Sequence, residues 1–120
     1  KNKFEIYAYS LRNRAEDIYT LRIRKSVHDF VDLSKLSDKE AAEKVREAKL
    51  DIAIDFSGYS ADGRMKIFSY RIAPIQIIYL DFVGTTGSNC IDYIIADKQI
   101  IPDKYKHFDM FALGLVKYNL

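Results

Sequence analysis

Two short turns in the sequence combine glycines with hydroxyl-bearing side chains. The first is SGYS at residues 57–60, the second is GTTG at residues 84–87, and each follows an apolar run. Glycine allows positive φ angles and lets another group approach the backbone closely, while Ser and Thr hydroxyls both donate and accept hydrogen bonds. Either turn could therefore bind a polar ligand, and either could equally be a plain connection between two elements.

His28 is the other side chain with the means to do chemistry. It directly precedes a predicted strand that would fix its position, and an ordinary polar residue beside a strand is the alternative interpretation. His28 and His107 lie far apart and lack carboxylates or cysteines at ligand spacing, and Cys90 is the only cysteine. The sequence therefore predicts neither a metal site nor an internal disulfide, and the single cysteine fits a reducing compartment.

The sequence argues against several common classes of binding protein. None of the five glycines has the G-x-G-x-x-G spacing of dinucleotide-binding folds, and no Lys-Ser or Lys-Thr follows a glycine at the P-loop distance. The 19 basic and 17 acidic residues are interspersed, which leaves no basic tract for nucleic acid or anionic lipid. No apolar run reaches the ~18 residues of a membrane span, and the N-terminus enters a strand without forming a signal peptide. We expect a cytoplasmic protein whose partners include neither nucleic acid nor a membrane.

The elements that would position these residues alternate between strand and helix. The chain has 120 residues, enough for one domain or part of one. Apolar runs predict strands at residues 3–10, 29–34, 50–56, 75–82 and 90–97. Helical spacing predicts helices at residues 14–26, 37–48 and 65–73. The β-branched residues in the first of these segments also permit a strand.

The order of these elements predicts an α/β fold with a parallel sheet and right-handed crossovers. The long apolar run in 75–82 suits a central strand covered on both faces, with the buried strand 50–56 beside it. A capping box from Ser37 to Glu40 starts the second helix, and Pro74 is expected to stop the third. Because ligands bind at the carboxyl ends of parallel strands, both glycine turns should lie at the same edge of the sheet.

Five segments, in order, resemble the catalytic region of the O-linked N-acetylglucosamine transferase family. They are HDFVDLS, LDIAIDFSGYS, GRMKIFSYRIAPIQ, GTTGS and DYIIAD, within residues 3–107. The family consists of tetratricopeptide-repeat glycosyltransferases, so the resemblance implies a Rossmann-like parallel sheet with flanking helices, as an incomplete lobe of a two-lobed enzyme. Residues 1–107 would be part of the N-terminal catalytic lobe, and residues 108–120 a divergent or truncated tail.

The same resemblance implies a function for the full-length protein. It would transfer a sugar, usually N-acetylglucosamine, from a uridine diphosphate donor to Ser or Thr hydroxyls of an acceptor protein, without a metal or a cofactor. His28 matches a family histidine considered for acid–base or phosphate-contact roles. The residues expected to line the cleft and bind substrate are Gly84, Thr85, Thr86, Gly87, Gly58 and Tyr59. The partners would be the nucleotide sugar, the acceptor protein, the remaining catalytic lobe and the helical repeats.

The chain also departs from the family pattern. Ile72 and Val83 stand where the family usually has prolines, and the segment after Asp109 lacks the expected polar strand. The family's other active-site histidine lies upstream of residue 1 and its uridine-binding segments lie in the second lobe, so we expect the isolated chain to be inactive. Fucose-using relatives leave the donor sugar open. The alternatives are a non-catalytic α/β binding or interaction module derived from such a transferase, and an unrelated flavodoxin-like domain that binds a small phosphate ligand.

Overall fold

The computed structural model describes residues 4–13, 15–79, 86–97, 99–102 and 114–115. The chain divides into two compact units, Lys1–Ser37 and Asp38–Leu120. Each unit contains a parallel sheet and at least one helix, which confirms the predicted α/β class. No helix in the described ranges is long and apolar enough to cross a membrane.

The first unit is a strand–helix–strand repeat. Its elements are β1 (Tyr7–Ser10), α1 (Ile18–Ser26) and β2 (Asp29–Asp32), and the two strands pair in parallel. β2 ends at Asp32, earlier than the predicted end at Ser34. The Asp32 carboxylate accepts a hydrogen bond from the backbone N–H of Ser34 at 2.8 Å, which turns the chain. Hydrogen bonding from Ser34, from its side chain first and then from its backbone, lowers the pKa of Asp32.

The first helix is set by a side-chain cap at its start. The carboxylate of Asp17 accepts a hydrogen bond from the backbone N–H of Thr20 at 2.7 Å, and this bond lowers the pKa of Asp17. The helical interpretation of segment 14–26 is therefore confirmed, although the helix begins only at Ile18. None of the α1 residues, all of which the structure describes, is buried.

The second unit contains a four-stranded parallel sheet in the order β3-β4-β5-β6. Its elements are α2 (Asp38–Glu47), β3 (Ile52–Asp55), α3 (Lys66–Ser69), β4 (Ile75–Tyr79), β5 (Tyr93–Ile95) and β6 (Gly114–Leu115). β4 lies between β3 and β5, which confirms the prediction of a central strand with the 50–56 segment beside it.

The helix α3 packs against one face of this sheet, and α2 contacts α3. On α2 the predicted small apolar stripe is buried at Ala41, Ala42 and Val45. Gln76 of β4 donates a hydrogen bond from Nε2 to the backbone carbonyl of Phe68 in α3, at 2.9 Å. The sheet residues on this helix-covered face are Ala53, Asp55, Gln76 and Ile78, and all are buried.

The strand predicted at 50–56 is buried on one face only, which corrects the expectation of a fully buried strand. Ile52 and Ile54 are 50% and 42% exposed, whereas Ala53 between them is 6% exposed. In the described part of the sheet, β3 is an edge strand, and α3 lies on the face that carries Ala53 and Gln76. An apolar run in a sequence does not reveal whether both of its faces find a covering layer.

The third helix is shorter than predicted and does not end at Pro74. It ends at Ser69, and Arg71 then takes a left-handed backbone conformation with φ +56°. That conformation cannot continue a right-handed helix, so the chain leaves the helix before it reaches Pro74.

Most of the predicted tail, residues 108–120, lies outside the described residues. Its described part is β6, which pairs in parallel with β5 and places Gly114 opposite Tyr93. The predicted boundary after residue 107 stays a prediction.

Candidate functional site

The turn after β3 is held by a buried carboxylate. Asp55, the last residue of β3, is 4% exposed, and its two oxygens accept hydrogen bonds from the backbone N–H groups of Ser57 at 3.1 Å and Gly58 at 2.8 Å. Gly58 has φ +53°, a conformation that glycine adopts without strain. Asp55 therefore fixes the start of the turn, and glycine at 58 allows its direction to change.

Further along the same loop, the backbone of Gly63 contacts the backbone of Gly58. A Cβ atom added to Gly63 would lie 2.0 Å from the backbone carbonyl oxygen of Gly58, so the two backbones touch there. Arg64 follows, and its Nε and Nη2 atoms both lie 2.8 Å from a carboxylate oxygen of Asp38, at the start of α2. This loop is thus anchored at both ends, while Tyr59 within it is 56% exposed.

Ser60 contributes a hydroxyl without a hydrogen-bond partner. Its Oγ atom is buried, and within the ranges that the structure describes no protein atom pairs with it. The backbone N–H of Ser60 donates to the carbonyl of Ser57 at 3.0 Å, so the position of the residue is set by the turn. Because buried polar atoms are usually satisfied, this hydroxyl is a candidate hydrogen-bonding group for a ligand.

The second glycine turn is described only in part. Thr86 is 7% exposed, and its Oγ1 accepts a long hydrogen bond of 3.4 Å from the backbone N–H of Ser88. Gly87 has φ +57°, and no described atom lies within 4 Å of the position a Cβ would occupy. Gly84 and Thr85 lie outside the described residues. The described half has the positive φ and the open space that could admit a ligand.

The strands that precede the two turns end on the same side of the sheet. β3 and β4 run parallel with Asp55 opposite Ile78, so both strands finish together, at what we call the carboxyl edge. The rings of Phe56 and Tyr79 meet there edge to face, with centroids 5.9 Å apart. The parallel pairing of β3 and β4 is as predicted. Residues 80–85 lie outside the described residues, so the prediction that both glycine turns lie at this edge stays a prediction.

His28 belongs to the first unit and lies at the amino end of β2. Its backbone N–H donates to the carbonyl of Ile6 at 2.7 Å, and its ring centroid lies 5.5 Å from that of Tyr7. The side chain is exposed. Loss of hydration and a hydrogen bond to Glu5 raise the pKa of the neighbouring Tyr7 phenol.

The structure adds one residue that the sequence analysis missed. Asp55 was treated only as the end of a strand, yet it holds the turn that carries Gly58 and Tyr59. An aspartate followed at short range by Ser and Gly is the usual pattern of a side-chain-capped turn, and this signal could have identified it. Among the described residues, no three His, Cys, Asp or Glu side chains cluster as metal ligands would.

Comparison with known proteins gives consistent matches across the chain. The sequence pattern that defines glycosyl transferase family 41 matches residues 1–113. A "probable UDP-N-acetylglucosamine–peptide N-acetylglucosaminyltransferase" of Arabidopsis thaliana, SEC, is 33% identical over 107 residues, which cover 89% of this chain and 11% of the relative. The UDP-N-acetylglucosamine–peptide N-acetylglucosaminyltransferase of Caenorhabditis elegans is 32% identical over 103 residues, or 85% of this chain and 9% of the relative.

A solved structure is similar over nearly the same region. The O-GlcNAc transferase of Thermobaculum terrenum, solved as a mutant, superimposes with a TM-score of 0.83 at 31% identity. The superposition covers 94% of this chain and 21% of the solved chain. The chain therefore spans only a small part of the proteins it matches, and this part has the fold of an incomplete Rossmann-like lobe.

Proposed function

The chain belongs to glycosyl transferase family 41, and we propose that it forms part of the first catalytic lobe of an enzyme that transfers N-acetylglucosamine from a uridine diphosphate donor to protein Ser or Thr hydroxyls. The observation that carries this proposal is the match to the family over residues 1–113, because the named relatives are N-acetylglucosaminyltransferases that act on peptides. The remaining lobe, helical repeats and a cytoplasmic location belong to the same proposal.

The carboxyl edge of the second unit is proposed as one wall of the substrate cleft. Hydroxyls at Thr85 and Thr86 and the unpartnered hydroxyl of Ser60 would hydrogen-bond to the sugar or to the acceptor. The Gly84–Gly87 loop and the Gly58–Tyr59 turn would shape the wall, with Asp55 holding that turn in place. Open parallel sheets bind ligands at this edge, which supports the assignment.

His28 is proposed to act on the reaction directly. In the transfer, the acceptor hydroxyl attacks the anomeric carbon of the sugar, its proton is released, and the bond to the diphosphate breaks. A histidine can relay that proton or, when protonated, stabilise the departing diphosphate. The exposed side chain and the backbone hydrogen bond to Ile6 favour such a role, since the residue is held while its ring stays accessible.

The test uses the full-length protein with its second lobe. His28→Ala should lower the rate of sugar transfer to an acceptor peptide by about 10²- to 10⁴-fold, because a positioned acid or base contributes about that much. The melting temperature should hardly change, since the side chain is exposed. Thr85→Ala should cause a smaller loss, and His107→Ala is the matched control for removal of a histidine.

Two results would count against the proposal. Wild-type transfer by the His28→Ala protein would remove His28 from the site, and a collapse of its melting temperature would assign it a structural role. Absence of transfer by the unmodified full-length protein, with every nucleotide sugar tried, would instead favour a non-catalytic binding module derived from a transferase.

A further inference from the structure

One aromatic side chain packs against the imidazole of His28. The ring centroid of Tyr7, in β1, lies 5.5 Å from that of His28, and the two ring planes are tilted by 56°. Tilted aromatic pairs at this separation attract each other, because the positive edge of one ring meets the negative face of the other. In the described part of the chain the imidazole forms no hydrogen bond and no ion pair, so the Tyr7 ring is its main side-chain contact.

The backbone fixes where the His28 side chain begins but not where its ring points. The backbone N–H groups of His28 and Asp29 both donate to the carbonyl of Ile6, at 2.7 and 3.4 Å, which holds the chain beside β1. The His28 side chain is exposed, and an exposed side chain moves among several rotamers on a fast timescale. Contact with the Tyr7 ring favours the rotamers in which the two rings touch.

Tyr7 is held more firmly than His28. It is half-buried within β1 and lies opposite Asp29 in the parallel pairing with β2. Its hydroxyl also donates a hydrogen bond to the carboxylate of Glu5, at 3.2 Å. That bond is exposed and local, whereas the contact with His28 is made by the ring. The ring is therefore the part of Tyr7 that can orient the imidazole.

We propose that Tyr7 is a positioning residue for His28, whose imidazole it holds in the orientation that sugar transfer uses. This role rests on the proposed function of His28 and adds the group that orients it. Proton transfer and charge stabilisation both require the imidazole nitrogen to lie within hydrogen-bond reach of the reacting group, and a misplaced ring reaches it less often. Removal of the Tyr7 ring should lower kcat about 3- to 10-fold, the rate factor that corresponds to the strength of one aromatic pair.

The first experiment compares variants of the full-length protein in transfer to an acceptor peptide. Tyr7→Leu removes the ring but keeps an apolar side chain, and Tyr7→Phe keeps the ring. Tyr7→Leu should lower kcat about 3- to 10-fold and change KM for the nucleotide sugar by less than about 2-fold, since the contact orients a reacting group. Tyr7→Phe should retain most of the rate. The matched control is Tyr19→Leu, at a tyrosine of α1 that is 68% exposed, and it should leave both constants unchanged.

A double-mutant cycle separates this role from a purely structural one. In the His28→Ala protein, the further change Tyr7→Leu should lower kcat by less than about 2-fold, because no imidazole remains to be oriented. An equal loss in both backgrounds would overturn the proposal, as would an unchanged kcat for Tyr7→Leu or an equally large loss for Tyr7→Phe. Wild-type transfer by His28→Ala would overturn the role of His28 and this inference with it. A slow His28→Ala protein beside a fully active Tyr7→Leu protein would overturn this inference alone.

A spectroscopic measurement tests the contact without any turnover. In full-length protein labelled with ¹³C-histidine, the signal of the His28 ring is the one that disappears in His28→Ala. This signal should shift in Tyr7→Leu and stay in place in Tyr19→Leu, because only the first variant removes the neighbouring ring. A His28 signal that Tyr7→Leu leaves unmoved would also overturn the proposal.

Discussion

The two ends of the second unit's sheet differ in how their polar groups are satisfied. At the carboxyl edge, the described residues include an exposed tyrosine, a buried serine hydroxyl without a partner and Gly58 with its positive φ. At the other end, which we call the amino edge, the side chains of Arg71, Gln76 and Asp92 form a dense hydrogen-bonded cluster. The difference indicates that one edge stabilises the fold and the other is left available for binding.

Gln76 is the centre of the amino edge, and it is fully buried. Its Oε1 accepts a hydrogen bond from the backbone N–H of Ile72 at 2.8 Å, while its Nε2 donates to the carbonyls of Phe68 and Cys90. A single side chain thus joins the end of α3, the start of β4 and the segment before β5. Its amide is paired at both ends, which is what makes a buried polar group tolerable.

Arg71 and Asp92 complete the amino edge. The Arg71 guanidinium donates to both carboxylate oxygens of Asp92, at 2.7 and 2.6 Å, and to the carbonyls of Pro74 and Cys90. The same Asp92 carboxylate accepts from the backbone N–H of Gln76 at 2.7 Å. These contacts also explain how Arg71 can keep its strained backbone, since four acceptors hold its side chain in one place.

The largest effect is expected at Gln76. Gln76→Ala should lower the free energy of unfolding by about 3 kcal/mol, because it leaves a cavity, removes three hydrogen bonds and leaves the buried backbone N–H of Ile72 without its acceptor. The matched control is Gln99→Ala on an exposed residue, which should change stability by less than about 0.5 kcal/mol. Urea unfolding of the full-length protein measures both. A loss below about 1 kcal/mol for Gln76→Ala would contradict the stabilising role of the amino edge.

An intermediate effect separates the 57–63 loop from the glycine turn at residues 84–87. Gly63→Ala should cost about 2 kcal/mol, because the new methyl group would meet the backbone of Gly58 and force the loop apart. Gly87→Ala should cost only about 1 kcal/mol, since it has a positive φ but open space around it. The same unfolding measurement tests this order. A larger loss of stability for Gly87→Ala than for Gly63→Ala would show that the backbones of Gly58 and Gly63 are not tightly packed.

The smallest effect compares two residues with similar backbone strain. Lys49 and Arg71 have φ values of +49° and +56°, but Lys49 is exposed and is not part of the cluster of Arg71, Gln76 and Asp92. Lys49→Gly should raise the free energy of unfolding by about 0.5–1 kcal/mol, because glycine adopts this conformation without strain. Arg71→Gly relieves the same strain but removes the guanidinium, so it should destabilise. Stabilisation by both variants would mean that the side-chain contacts of Arg71 contribute nothing to the free energy of unfolding.

Much of this arrangement could be predicted from local sequence patterns. The apolar run in 75–82 correctly predicted a central parallel strand, and the small-residue stripe of α2 predicted its buried face. The end of α3 could not be predicted, because the left-handed conformation of Arg71 depends on partners that are distant in sequence, such as Cys90 and Asp92. For the same reason, the sequence could not predict that the Gln76 side chain bonds to the backbone of Phe68, Ile72 and Cys90.

The candidate site could be predicted only in outline. Glycine and hydroxyl residues marked the two turns, and the parallel pairing of β3 and β4 places the starts of both segments at one edge. The exposed face of β3 was missed because it depends on whether another layer exists, which an apolar run cannot indicate. The roles of His28, Gly84 and Thr85 stay predictions, and the last two lie outside the described residues.

The most direct test of the proposed division between the edges is the Thr86→Val substitution in the full-length protein, because Thr86 is proposed to bind substrate at the carboxyl edge. Valine matches the shape of the 7%-exposed threonine and removes only its hydroxyl, whose bond to Ser88 is long at 3.4 Å. Sugar transfer and unfolding are measured on the same sample, with Arg71→Lys as the amino-edge counterpart.

We expect Thr86→Val to lower kcat/KM for transfer by about 10-fold, the value of one ligand hydrogen bond, with the free energy of unfolding changed by less than about 1 kcal/mol. Arg71→Lys should lower the free energy of unfolding and leave kcat/KM of the folded enzyme nearly unchanged, because lysine cannot reproduce the paired contacts with Asp92. Unchanged transfer by Thr86→Val, or a loss of transfer fully explained by unfolding, would contradict the assignment of the carboxyl edge to substrate binding.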